Sequence, residues 1–281
     1  MEIRVRVPGS CGELLQGVAG TTPFLVTAPV NRYTTVFISD TGRPAVPLGE
    51  KSRSALRRTL AYLGESRFPF SLSLCSELPQ GKGMASSSAD VSAVIIATAA
   101  AFGRRLSEAE TAVLATSVEP TDGIFCRGIV AFDHVHGAVL HRWTEIPPYC
   151  IAVFDMGGSV DTLALHRKLA TQGEKRLRLP AETLCSMTVD DVLQAAAESL
   201  FLNQEILRKP QLGVLAATAR QYGAVSICGA HSGTVVGAFF PVSLTPETVR
   251  QMGEEIAAAF PEWRLLDVVR LIDGGYEMTC R

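Results

Sequence analysis

The sequence has no apolar run long enough to cross a bilayer, no strong charge of either sign and no closely paired cysteines. Its longest apolar-leaning stretch, residues 91–102, is interrupted by Ser92 and Thr98 and falls short of the roughly 20 residues a spanning helix needs. A net charge of −2 gives no electrostatic case for nucleic acid or an anionic membrane as partner. The seven cysteines are scattered, with none at C-x-x-C spacing, and their number is odd. Because residues 1–7 alternate like a strand and lack a signal-peptide core, reduced thiols in a cytoplasmic protein are expected, not a disulfide frame or a zinc site. His134, His136 and His141 have no fourth ligand nearby in sequence and are not read as a metal site. No internal repeat or low-complexity segment is present. An apolar fraction of 47% and a charged fraction of 19% in 281 residues leave a globular protein of one large or two smaller domains.

What is present is organised around residues 76–90, which hold Pro79, Gly81, Lys82, Gly83, Met84, Ala85, Ser86, Ser87, Ser88, Ala89 and Asp90. The period of two in residues 70–74 predicts a strand before it, and the Ala- and Ile-rich residues 91–102 predict a buried helix after it. Gly81 and Gly83 permit positive φ or close approach of a ligand, and the serines and Asp90 are of the kind that cap helix starts. A phosphate-binding loop at a helix N-terminus and a plain Gly-rich turn both fit this stretch alone. It is not a Walker loop, because Gly-Lys-[Ser/Thr] at the P-loop spacing is absent. Nor is it a dinucleotide fingerprint, because Gly81 and Gly83 lack the third glycine.

Along the chain, a first strand is predicted to end in the loop Pro8–Gly17, where Glu13 is a lone carboxylate among small residues. Residues 24–39 read as strands broken near Pro29, and residues 54–63 as an amphipathic helix stopped by Gly64. Ser107 and Glu110 have capping-box spacing for a helix reaching about Val118. Glu119 and Asp122 follow at its exit, where negative charge opposes the helix dipole; a hard-cation site and a simple Asp-Gly turn both fit. After a boundary near Pro147-Pro148, the second half reads β-α-α-β-β-α-β-β, with a tight turn at Gly229-Ala230-His231-Ser232-Gly233. Residues 159–180 form a polar, basic stretch.

Three separated pieces resemble the motifs of the GHMP kinases. Residues 76–79 followed by Gly83-Met84-Ala85-Ser86-Ser87-Ser88-Ala89 are similar to the second motif, Pro8-Gly9-Ser10 to the first, and residues 229–233 to the third, Gly-rich one. Ser10-Cys11-Gly12-Glu13 with Gln16-Gly17, Glu119-Pro120-Thr121-Asp122, Phe132-Asp133-His134 and Ala230-His231-Ser232-Gly233 resemble one branch, the L-threonine kinases of adenosylcobalamin synthesis. The resemblance implies an α+β, two-domain fold. Residues 1–148 would form a ribosomal-protein-type α/β sandwich binding ATP, and residues 149–281 a ferredoxin-like domain.

The resemblance also implies roles. Pro79 and residues 81–89 would hold the ATP phosphates, with Lys82 as an extra contact. Ser87 and Glu119 would hold Mg²⁺, and Asp122 would serve as catalytic base. Where many members have a first-motif lysine, this chain has Ser10, which puts a strongly activated base in doubt. Glu13 would meet the substrate ammonium, with Ser10, Gln16, Asn31, Tyr33, His231, Ser232 and Gly233 around it; Arg32 and the basic stretch from Arg167 to Arg178 are candidates for its carboxylate. The partner implied is L-threonine, phosphorylated on its side-chain hydroxyl. Homoserine or serine as acceptor, and a catalytically silent metabolite-binding protein, are the alternatives. Nothing in the sequence fixes an oligomeric state.

Overall fold

The computed structural model describes residues 1–41, 47–158, 160 and 177–281. It opens on a long antiparallel hairpin, β1 (Glu2–Ala19) and β2 (Thr22–Ser39), paired from Glu2 opposite Ser39 to Ala19 opposite Thr22. The predicted loop Pro8–Gly17 is therefore strand. It stays paired through register shifts after Pro8, Ser10 and Glu13, and Gly12 takes a left-handed φ of 67°. Pro29 does not break β2, because it faces Ser10 inside this irregular zone, where a missing N–H is tolerated.

Helix α1 (Glu50–Leu63) ends as predicted on Gly64, whose φ of 76° closes the last turn. Strand β3 (Ser71–Ser76) pairs with β2, and α2 (Ser86–Ala101) follows. Twelve α2 residues are buried around its circumference, so it is the central helix and not a surface one. Helix α3 (Glu108–Val118) has the predicted capping box between Ser107 and Glu110. Strands β4 (Ile129–Asp133) and β5 (Ala138–Trp143) complete the first half.

The second half runs β6 (Tyr149–Asp155), β7 (Leu177–Leu179), α4 (Ala181–Ser186), α5 (Val189–Leu202), α6 (Leu212–Gln221), β8 (Ser226–Gly229), β9 (Val235–Pro241), α7 (Pro246–Ala258), β10 (Arg264–Arg270) and β11 (Glu277–Cys280). β7 and α4 are absent from the sequence reading. The α+β expectation holds, and the sheet is continuous through both halves, in the order β10-β6-β9-β8-β1-β2-β4-β5. β1 meets β8 through Glu13 opposite Gly229, and β11 returns to pair with β1. One apolar cluster lies under α1–α3, with Phe24, Phe132 and Ile95 at its centre; another, around Phe154, Phe240 and Trp263, lies under α6 and α7.

The three glycine-rich segments meet backbone to backbone. Ser10 N–H donates to Met84 O at 3.1 Å, and Thr234 N–H donates to Lys82 O at 2.9 Å. A Cβ on Gly233 would overlap Lys82 O and Gly83 Cα, and one on Gly83 would overlap the Ala230 methyl. Gly233→Ala is therefore expected to cost about 1–3 kcal/mol in urea unfolding. Gly213→Ala, on α6 with its nearest neighbour at 4.0 Å, is expected to be neutral or slightly stabilising. Equal behaviour of the two variants would remove the close-approach argument.

Candidate active site

A cleft of about 530 Å³ opens where α2 begins, bounded by α1's first turn, residues 119–122, the irregular part of β1 and Ser232. Gly81, Gly83 and Ala85 take φ of 71°, 83° and 56°, and Ala85 is the helix N-cap, without any side-chain cap. The predicted capping by serines does not occur, because Ser86, Ser87 and Ser88 are already in the helix and their side chains are available for other contacts. The first-turn N–H groups are thus left to the cleft, at the positive end of a sixteen-residue helix.

Two serine–carboxylate pairs stand beside this N-terminus. Ser87 Oγ donates to Glu119 Oε1, and Lys51 Nζ reaches Glu119 Oε2 at 2.5 Å and Ser87 Oγ at 3.1 Å. Glu119 is the extended C-cap of α3, so the carboxylate opposing that helix's dipole is held by a lysine from α1. One residue along α2, Ser88 Oγ donates to Asp122 Oδ2 at 2.8 Å and accepts from Asp122 N–H at 3.1 Å. Burial, then the charges of Glu13 and Glu119, push the Asp122 carboxyl up to about 7, against the opposing effect of Ser88. Asp90 accepts from Thr34 Oγ1 at 2.7 Å, and burial raises its pKa also.

Across the cleft, Glu13 is only 8% exposed. Its Oε2 accepts the His231 N–H at 2.8 Å and lies 3.3 Å from Nδ1 of the same ring. The ring's Nε2 is 3.1 Å from Ser199 O, and Asn203 Nδ2 donates to His231 O at 3.0 Å. Lys209, 1% exposed, donates to Ala230 O and Gly233 O at 2.8 Å each. Burial lowers its pKa to about 8, with Glu13 acting in the other direction. His231 and Lys209 therefore brace the third turn from behind, and Ser232 is the turn residue that lines the cleft.

The other expected residues divide. Gln16, Gly81, Gly83 and residues 84–88 line the cleft, whereas Pro79, Ala89, Ser10 and Gly233 do not. Lys82, expected at the phosphates, is placed in an ion pair: its ammonium lies 2.9 Å from Asp155, which is fully buried, and donates to Gly158 O at 2.6 Å. Asn31 and Tyr33 do not line the cleft either. Asn31 Oδ1 accepts the Arg270 N–H at 2.7 Å, and the Tyr33 ring lies under the Arg6 guanidinium at 3.9 Å, both on the bulged side of the hairpin. Arg32 is taken by Asp267 through two hydrogen bonds, 2.7 and 3.0 Å long. Of the basic stretch, Arg178 lies on β7 and Arg167, Lys168, Lys175 and Arg176 lie outside the described residues. Lys51 and Lys209 were not anticipated. Each acts on partners distant in sequence, and no local pattern marks either one.

Residues 51–128 match the GHMP kinases N terminal domain and residues 181–262 the GHMP kinases C terminal. The chain is 31% identical over 241 residues to an L-threonine kinase of Salmonella typhimurium, covering 82% of this chain and 80% of that protein. It is 30% identical over 288 residues to an L-threonine kinase of Citrobacter freundii, covering 96% and 98%. A homoserine kinase of Moorella thermoacetica is 25% identical over 219 residues, covering 73% and 74%. A mevalonate kinase structure superposes with a TM-score of 0.69 at 14% identity, covering 96% of this chain and 99% of that one, which speaks to the fold. With both domain signatures present in order and a helix N-terminus open to the cleft between carboxylates, the chain belongs to the GHMP kinases, ATP-dependent phosphotransferases that act on hydroxyl groups.

Proposed function

We propose that the protein transfers the terminal phosphoryl group of ATP to the side-chain hydroxyl of L-threonine, giving O-phospho-L-threonine and ADP. The observation that carries the choice of acceptor is the identity of about 30% to L-threonine kinases over most of the chain. The product would serve the nucleotide-loop step of adenosylcobalamin synthesis, as the motif resemblance implies. Homoserine is the second reading, supported by the more distant relative.

Phosphoryl transfer needs anion donors, charge neutralisation and an aligned hydroxyl. The uncapped N-terminus of α2 supplies the donors for the triphosphate. A magnesium ion fits the Ser87–Glu119 pair, since a hydroxyl and a carboxylate already in contact there attract a cationic ammonium, and Mg²⁺ usually takes one or two protein carboxylates with phosphates and water. Held by Ser87 and Glu119, it would supply positive charge against the triphosphate. Asp122 is oriented by its two contacts with Ser88, and a pKa near 7 suits a group that takes the hydroxyl proton at neutral pH. Glu13, oriented by His231, supplies the charge that an amino-acid ammonium would meet.

Purified protein with Mg·ATP should release ADP with L-threonine and not without acceptor. No threonine-dependent ADP would reject the acceptor, and a faster homoserine reaction would select the second reading. Glu119→Gln should lose on the order of 10²-fold in kcat and raise the magnesium midpoint; wild-type kinetics would remove Glu119 from the metal site. Asp122→Asn should lose on the order of 10²–10⁴-fold in kcat, and a smaller loss would mean positioning. The raised pKa also sets a stability test. Between the unfolded carboxylate range and about 7, the folded chain holds a proton that the unfolded chain releases, so stability falls as pH rises through that window. In urea unfolding, the wild type should therefore gain on Asp122→Asn between pH 8 and pH 5.5. An unchanged difference would contradict the assignment.

A further inference from the structure

The cleft is crowded with negative charge. Glu13, Glu50, Asp90, Glu119 and Asp122 all line it, and an ATP triphosphate would add more. Against them, Lys51 is the one lysine or arginine lining the cleft among the described residues. Among the described residues, Lys82 is committed to Asp155, Lys209 to two backbone carbonyls and Arg32 to Asp267. Lys51 differs from them in its exposure. Its side chain keeps 45% of its surface open and reaches Ser87 Oγ and Glu119 from the first turn of α1, beside the uncapped start of α2. An ammonium on a long unbranched stem can exchange a carboxylate partner for a phosphate oxygen with small rotamer changes.

On the reading that this site transfers a phosphoryl group from ATP, we propose that Lys51 is a catalytic residue, the side-chain cation that binds the triphosphate and neutralises charge on the phosphoryl group in flight. Backbone N–H groups at α2 carry only partial charge, and the carboxylates around the cleft oppose an incoming anion. Lys51 brings to the cleft the full positive charge that these partial charges lack. Its contact with Glu119 holds it at the mouth of the site, where the arriving nucleotide takes it over.

The test uses the full chain and the substitutions Lys51→Met and Lys51→Arg, at a half-exposed position where loss of the ion pair with Glu119 should shift thermal unfolding by only a few degrees. ATP and adenosine binding are measured by calorimetry without acceptor, with magnesium present, alongside steady-state kinetics with L-threonine. Lys51→Met should weaken ATP binding about tenfold or more, leave adenosine binding unchanged, and lower kcat on the order of 10²-fold. Lys51→Arg should recover part of each. Wild-type ATP affinity and turnover in Lys51→Met would overturn the proposal. So would tighter magnesium binding with unchanged ATP affinity, which would reduce Lys51 to a counter-charge for Glu119. If the wild-type protein turned over no acceptor, the threonine reading would fail by itself, and the ATP-binding comparison would still decide the role of Lys51.

Discussion

The structure depends on three stretches of backbone coming closer together than side chains would allow. Gly9 of β1 lies against Leu78 and Met84, Gly12 against Ala230, and Gly83 against Gly233. These contacts put the start of α2, the irregular part of β1 and the turn before β9 around one cleft. Hydrogen bonds from Ser10 to Met84 and from Thr234 and Val235 to Lys82 then fix the spacing. The candidate phosphate site built in this way is conformational: it comes from N–H groups at a helix start whose preceding residue, Ala85, is itself left-handed.

Charge is arranged around that backbone frame in pairs. Ser87 with Glu119 and Ser88 with Asp122 are neighbouring residues of one helix facing neighbouring carboxylates of one loop, so two chemically similar pairs acquire different roles from their surroundings. Glu119 is accompanied by an ammonium. Asp122 is instead buried beside two other carboxylates, and burial and their charges raise its pKa. The environment separates a candidate metal ligand from a candidate base, as acid–base chemistry at neutral pH requires.

Much of this was legible from residues because the signals are local. The capping box at Ser107 and Glu110 and the Gly64 stop each act within a few residues. The serines, Glu119 and Asp122 were recognisable because their motifs are contiguous. What sequence could not supply was direction. Lys82 sits inside the loop but its side chain goes to Asp155, and Asn31 and Tyr33 are engaged by Arg270 and Arg6 outside the cleft lining. Lys51 and Lys209 find their partners through tertiary packing, 21 to 68 positions away, where no spacing rule applies. Pro8–Gly17 read as a loop because its glycines and proline are turn residues, whereas here they serve bulges in a strand held by partners on both sides.

The pairing of Glu13 with Gly229 has a mechanical consequence. This is where β1 and β8 join the two halves of the sheet, and the same residue carries the carboxylate that His231 orients. β1 is also held by the second-half strands β7 and β11, so a rotation of one half against the other would strain all three pairings of β1, the one at Glu13 among them. A molecule held by the Glu13 carboxylate would thus tighten one of the seams that tie the two halves of the sheet together.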